Sequence, residues 1–191
     1  MRKDIQIVKP TSQEFRQLIP QITDAFAKAM RDTPPWNIDI DKKTTRKRFR
    51  TESSQNDFGS ILAQKANTIV GMSKYGLFEF GEFYESLFPE QVDQMRHVID
   101  SLSQQTGINH ILTISATFVI PSERRQHVAT DMRTALLAAI QCAYPDGAII
   151  ITQHLDNNPG IITSSQKLGF TPTGIKFGPN QFWYKVLSPS Q

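Results

Sequence analysis

Thiols are almost missing from this sequence: Cys142 is its single cysteine. A disulfide framework is thereby excluded, and a zinc site built on cysteines has no support. Long apolar runs are missing too. None approaches the ~20 residues that a bilayer-spanning helix needs, and the opening MRKDIQIVKP has no apolar stretch of the secretory kind. A soluble, cytoplasmic protein with no membrane partner is the expectation. There is no Gly/Ser linker, low-complexity tract or internal repeat, so one domain over residues 1–191 is expected. What is present, 39% hydrophobic against 20% charged residues, suffices for a core and excludes a disordered polyelectrolyte.

A general excess of positive charge is absent as well, although the pI is near 9.0. Residues 41–50 (DKKTTRKRFR) hold Lys42, Lys43, Arg46, Lys47, Arg48 and Arg50 against Asp41 alone, a local +5. The chain total is +3, so the other residues sum to 3 − 5 = −2. The basic character belongs to one segment. A solvated charged helix is the plain reading of it; the phosphate of an anionic ligand, an acidic partner or RNA are the functional ones. Only Phe49 interleaves with these charges, which disfavours single-stranded nucleic acid.

Periodicity places the elements. Ile5–Val8 alternates as a strand, and Thr11 with Glu14 forms a capping box that opens a helix to about Met30. Gly59–Ala66 and Thr68–Leu77 read as a hairpin turning at Ala66-Asn67. Helical spacing covers residues 83–105, and a β-branched strand spans Ile111–Ile120. A helix from about Arg124 to Ala143, a strand at Ala148–Leu155 and a helix at Asn158–Leu168 follow. Two strands over residues 171–187 turn at Gly178-Pro179-Asn180. Successive β-α-β units predict a mixed α/β fold with parallel strands in its middle.

The chemistry concentrates in residues 118–130, FVIPSERRQHVAT. A strand ends at a proline and a basic turn leads into a helix. The first turn of a helix carries N–H groups without intrahelical partners and a partial positive charge. With Arg124 and Arg125 beside it, that turn suits a phosphate or pyrophosphate; a solvated basic helix start is the plain alternative.

This stretch resembles motif A of the GNAT superfamily of acyl-CoA N-acyltransferases, with Val119, Pro121, Arg124 and Ala129 at matching places. His127 stands where a glycine is usual, and its Cβ would widen the seat or shift the CoA pose. A second stretch, Asn158–Phe170, resembles the family's N-x-x-A-x-x-x-Y-x-K-L-G-F segment through Asn158, Lys167, Leu168, Gly169 and Phe170. Ile69-Val70-Gly71 and the element order agree along nearly the whole chain.

The resemblance implies a GNAT-type mixed α/β (α+β) sheet splayed between strands 4 and 5, with helices on both faces. It implies acetyl-CoA as acyl donor and no metal. Backbone groups of Thr117, Phe118 and Val119 would pair with the pantetheine arm. Arg124, Arg125, Gln126, His127, Val128, Ala129 and Thr130 would hold the pyrophosphate, and Asn158 would reach the pantetheine. The family's thiolate acid is a tyrosine; Ser165 occupies that place, with Ser164 or Tyr184 as neighbours able to contribute. A serine hydroxyl is shorter and a far weaker acid, so Ser165 is either a functional donor or an ordinary helix residue.

Glu79, Glu82 and His154 are candidates for the base that takes the amine proton. Glu79 ranks first; each has a structural alternative. Tyr75, Phe78, Phe80, Phe83, Tyr84 and Phe88 place six of 18 aromatics inside 14 residues. They are core, or Phe80, Phe83 and Tyr84 wall an acceptor site for a cationic amine with an apolar part. The expected function is transfer of an acetyl or other acyl group to a primary amine of a small molecule or peptide, attacked directly in a ternary complex. A homodimer is compatible with the resemblance. The rival is a CoA-binding module of the same fold without turnover, acting through protein interaction.

Overall fold

The capping box forms as its spacing predicts. Thr11 N–H donates to Glu14 Oε2 at 2.7 Å, and Glu14 N–H donates back to Thr11 Oγ1 at 3.2 Å. The computed structural model describes residues 4–31, 39–79, 89–156 and 158–189. Their elements are β1 (Ile5–Val8), α1 (Ser12–Arg31), α2 (Lys42–Glu52), β2 (Gly59–Lys65), β3 (Thr68–Leu77), α3 (Pro89–Thr106) and β4 (Ile111–Val119). A 3-10 turn (Pro121–Glu123) leads to α4 (Val128–Ala143), β5 (Ala148–Leu155), α5 (Pro159–Lys167), β6 (Thr171–Phe177) and β7 (Asn180–Leu187). The strand order is β1-β2-β3-β4-β5-β7-β6, in an open mixed sheet. Residues 83–88, which the helical spacing takes in, lie outside the described residues; α3 begins at Pro89.

The chain forms two compact units. The first comprises Met1–Gly76 and Ala116–Ala139. Here β1, β2 and β3 pair antiparallel, and the β2–β3 register slips at Ala63/Gln64. Helices cover both faces of its sheet because β-strand side chains alternate. Phe118 meets Phe26 of α1 with ring centroids 5.3 Å apart. On the other face, a Cβ placed on Gly71 would stand 3.0 Å from Met132 of α4 and 2.8 Å from the Phe118 carbonyl. Gly71 is glycine because two strands and a helix close on it. Phe15, Ile19, Ile22, Phe49, Leu62, Met72 and Leu136 are fully buried here.

The second unit comprises Leu77–Ser115 and Ile140–Gln191. Val92, Met95 and Ile99 of α3 bury themselves against Ile149 and Ile151 of β5, with Ile175 and Phe182. The opposite face of β5 carries His154, and α5 lies on that side. The parallel β4–β5 register runs from Ile111↔Ile149 to Ile114↔Thr152, while both strands continue beyond it. β5 keeps its antiparallel partner β7 all the way to Leu155↔Asn180. Cys142, near the end of α4, is exposed.

Candidate functional site

The turn after β4 differs from the expected helix start at Arg124. Arg125 and His127 adopt left-handed φ values of 58° and 59°, so the helix cannot begin before Val128. A non-glycine residue is strained there, by about 1–2 kcal/mol. His127 thus takes the conformation for which a glycine is suited, keeping its Cβ. The first bond of the α4 ladder is Asp131 N–H to the His127 carbonyl, 2.9 Å. The N–H groups of Val128, Ala129 and Thr130 therefore precede the ladder, at the positive end of the helix dipole.

The two arginines have different employment. Arg124 donates from Nε to the Val119 carbonyl (3.1 Å) and from an Nη to the Ala29 carbonyl (2.9 Å). It ties the end of β4 to α1. Arg125 and His127 are exposed. Gln126 leans on Glu123, with Nε2 3.4 Å from its Oε2, and Glu123 is buried beside Lys65 Nζ at 3.0 Å.

Along β4, the Ile120 N–H donates to the Val70 carbonyl at 2.9 Å, and the Phe118 carbonyl faces Gly71. The backbone of residues 118 and 120 is thus turned to β3. Strand alternation turns Thr117 and Val119 to the other edge. Of the three residues expected to meet the pantetheine, only Thr117 and Val119 offer main-chain groups on that edge. Thr117 is further fixed by a 2.8 Å hydrogen bond between its Oγ1 and Ser73 Oγ.

Within the second unit, Ser165 and His154 come together. Ser165 Oγ lies 2.6 Å from His154 Nε2, and the side chains are buried at 0% and 4% exposure. His154 also lies tilted against Trp183, centroids 6.0 Å apart. Asn158 caps α5: its Oδ1 accepts the Ile161 N–H at 3.2 Å. Ser164 and Tyr184 are half-buried. Glu79 is exposed just past β3. Glu82, Phe80, Phe83 and Tyr84 lie outside the described residues.

The basic segment is α2, and much of it is paired. Lys42 and Arg46 lie 2.7 and 3.8 Å from Asp24 Oδ1 of α1. Arg48 reaches Glu52 at 3.8 Å and covers the Phe49 ring at 5.4 Å. The spacing gave no sign of Lys74, whose Nζ sits 2.9 Å from Glu52 at 4% side-chain exposure. Burial pulls this lysine below its ordinary value, with Glu52 opposing. Arg133 of α4 is likewise buried and held down to about 10 by loss of solvent. Among the described residues no cluster of His, Cys, Asp and Glu could hold a metal ion, and no helix is long and apolar enough to cross a membrane.

No family model and no curated protein matches the sequence. Solved structures do match the fold. A ribosomal-protein-alanine N-acetyltransferase from Brucella melitensis superposes with TM-score 0.65 at 15% identity, over 95% of this chain and 99% of that one. A PaiA N-acetyltransferase from Thermoplasma acidophilum, in complex with coenzyme A, gives 0.59 at 10% identity, over 96% and 99%. A GNAT-family protein from Desulfovibrio desulfuricans gives 0.59 at 7% identity, over 96% and 98%.

Proposed function

We propose that this chain, whose fold is that of the GNAT acyl-CoA N-acyltransferases, transfers an acetyl or other acyl group from acyl-CoA to a primary amine of a small molecule or peptide. Acetyl-CoA is the foremost donor, and the cytoplasm the place of action. The observation that carries this reading is the turn after β4, where left-handed Arg125 and His127 deliver the chain into the start of α4. Successive N–H groups at a helix start suit a pyrophosphate. That fit is a property of the backbone, so a histidine in place of the usual glycine does not abolish it.

The cosubstrate would supply the activated thioester. Backbone N–H groups from Arg125 to Thr130, with the exposed Arg125 guanidinium, would hold its diphosphate. Thr117 and Val119 would offer main-chain groups to the pantetheine amides, and the Asn158 amide would add a donor. Glu79 is the leading base for the amine proton, because an exposed carboxylate at a strand end can be reached by an acceptor. Ser165 would protonate the departing thiolate. Phe80, Phe83 and Tyr84 remain the proposed acceptor wall.

Calorimetric titration with CoA, then thiol release from acetyl-CoA across a panel of amines, tests this. CoA binding with amine-dependent thiol release is expected. Absence of CoA binding would sink the reading. Binding without release across the panel would favour a non-catalytic CoA-binding module.

A further inference from the structure

Resting on the acyltransferase reading, we propose that His154 and Ser165 form one proton-delivering unit. His154 recharges the hydroxyl that protonates the leaving thiolate and is not the base for the amine. The two side chains come from separately fixed elements. The backbone of His154 is paired with Gln181 of β7. Ser165 lies within α5, where its carbonyl accepts N–H bonds from Leu168 and Phe170 at 3.1 and 3.0 Å. A hydrogen bond of 2.6 Å across two such elements is a placed contact, because neither backbone can drift to relieve it.

The chemistry gives the contact a purpose. A serine hydroxyl alone is too weak an acid to protonate a thiolate. An imidazolium is ordinarily a stronger acid than a thiol by about two orders of magnitude. A hydroxyl that receives a proton on its oxygen while giving one away acts with the acidity of the imidazolium behind it. With Nε2 directed at Ser165, that nitrogen is not the one to meet an amine, which leaves the amine to Glu79.

In the step, the C–S bond breaks and sulfur leaves with the electron pair. The Ser165 hydroxyl proton passes to sulfur, and the proton on His154 Nε2 passes to Ser165 Oγ. Ser165 ends as the hydroxyl it began as, and His154 ends neutral. The amine sheds its proton to Glu79 and solvent, and His154 regains one from solvent before the next turnover. Atoms and charge balance over the cycle.

The test compares Ser165→Ala, His154→Gln, the double variant and Ser165→Thr with the native protein. Each single loss should lower kcat for thiol release roughly 100-fold, with the Kd for CoA little changed. The double variant should be no slower than either single, because the residues act together. Ser165→Thr, which keeps a hydroxyl, should restore most of the rate. Full activity in His154→Gln, or losses that multiply in the double variant, would overturn the proposal. Should the variants fail to fold, single turnovers of the native protein in mixed light and heavy water remain decisive. A bowed dependence, two protons moving together, is expected, and a linear one overturns it. Native protein that releases no thiol would instead refute the acyltransferase reading itself.

Discussion

Two basic regions of the first unit make opposite use of their charge. α2 carries the +5 that sets the pI, and it spends its cations on neighbours: Lys42 and Arg46 on Asp24, Arg48 on Glu52 and Phe49. The turn after β4 has two arginines and gives one of them, Arg124, to backbone carbonyls. What it offers an anion is geometry, two left-handed residues and a helix start. Counting charges therefore finds a region whose cations are largely paired within the fold. The proposed anion seat is found instead by asking where main-chain N–H groups converge.

The largest expected effect concerns the structural half of this contrast. Lys74→Ala leaves Glu52, and with it the end of α2, without its buried cation. Glu52 keeps some solvent contact, so a loss of about 2 kcal/mol is expected in urea denaturation, while Lys74→Met should cost much less. The pH dependence has a definite sign. A lysine lowered in the folded state binds fewer protons folded than unfolded between that lowered value and its ordinary 10.5. Native stability should therefore rise relative to Lys74→Met as pH climbs through that window.

Next comes the proposed anion seat. Arg125→Ala should weaken CoA binding about tenfold by calorimetry, close to 1.4 kcal/mol, with a shallower salt dependence. His127→Gly should gain up to about 1 kcal/mol in thermal stability by relieving the left-handed strain, and tighten CoA a few-fold. The smallest effect is expected from neutralising the exposed Lys43, Lys47 and Arg50 together. CoA affinity should move less than about twofold, since surface charges at a distance are screened. If this triple variant weakened CoA more than Arg125→Ala, the contrast between the two regions would collapse.

The elements were legible wherever side-chain periodicity decides them. β5 forms at Ala148–Leu155 as its apolar run predicts, and the hairpin turns at Ala66 and Asn67, both left-handed. The delayed start of α4 was not legible, because arginine and histidine give no local signal of positive φ as glycine would. Nor was the Ser165–His154 contact. It depends on the phase of a helix against a strand, with a turn of chain between them, and no spacing rule reports that. Nothing along the sequence singles out Lys74, because its partner, Glu52, comes from another element.

The exposed Cys142 has a practical consequence for any measurement of released CoA. A thiol-reactive dye will also find this side chain, one equivalent per protein molecule, and at high enzyme concentration that blank rivals a single turnover. Cys142→Ser removes the background. The native thiol, in turn, accepts a single fluorophore near the end of α4 without further engineering.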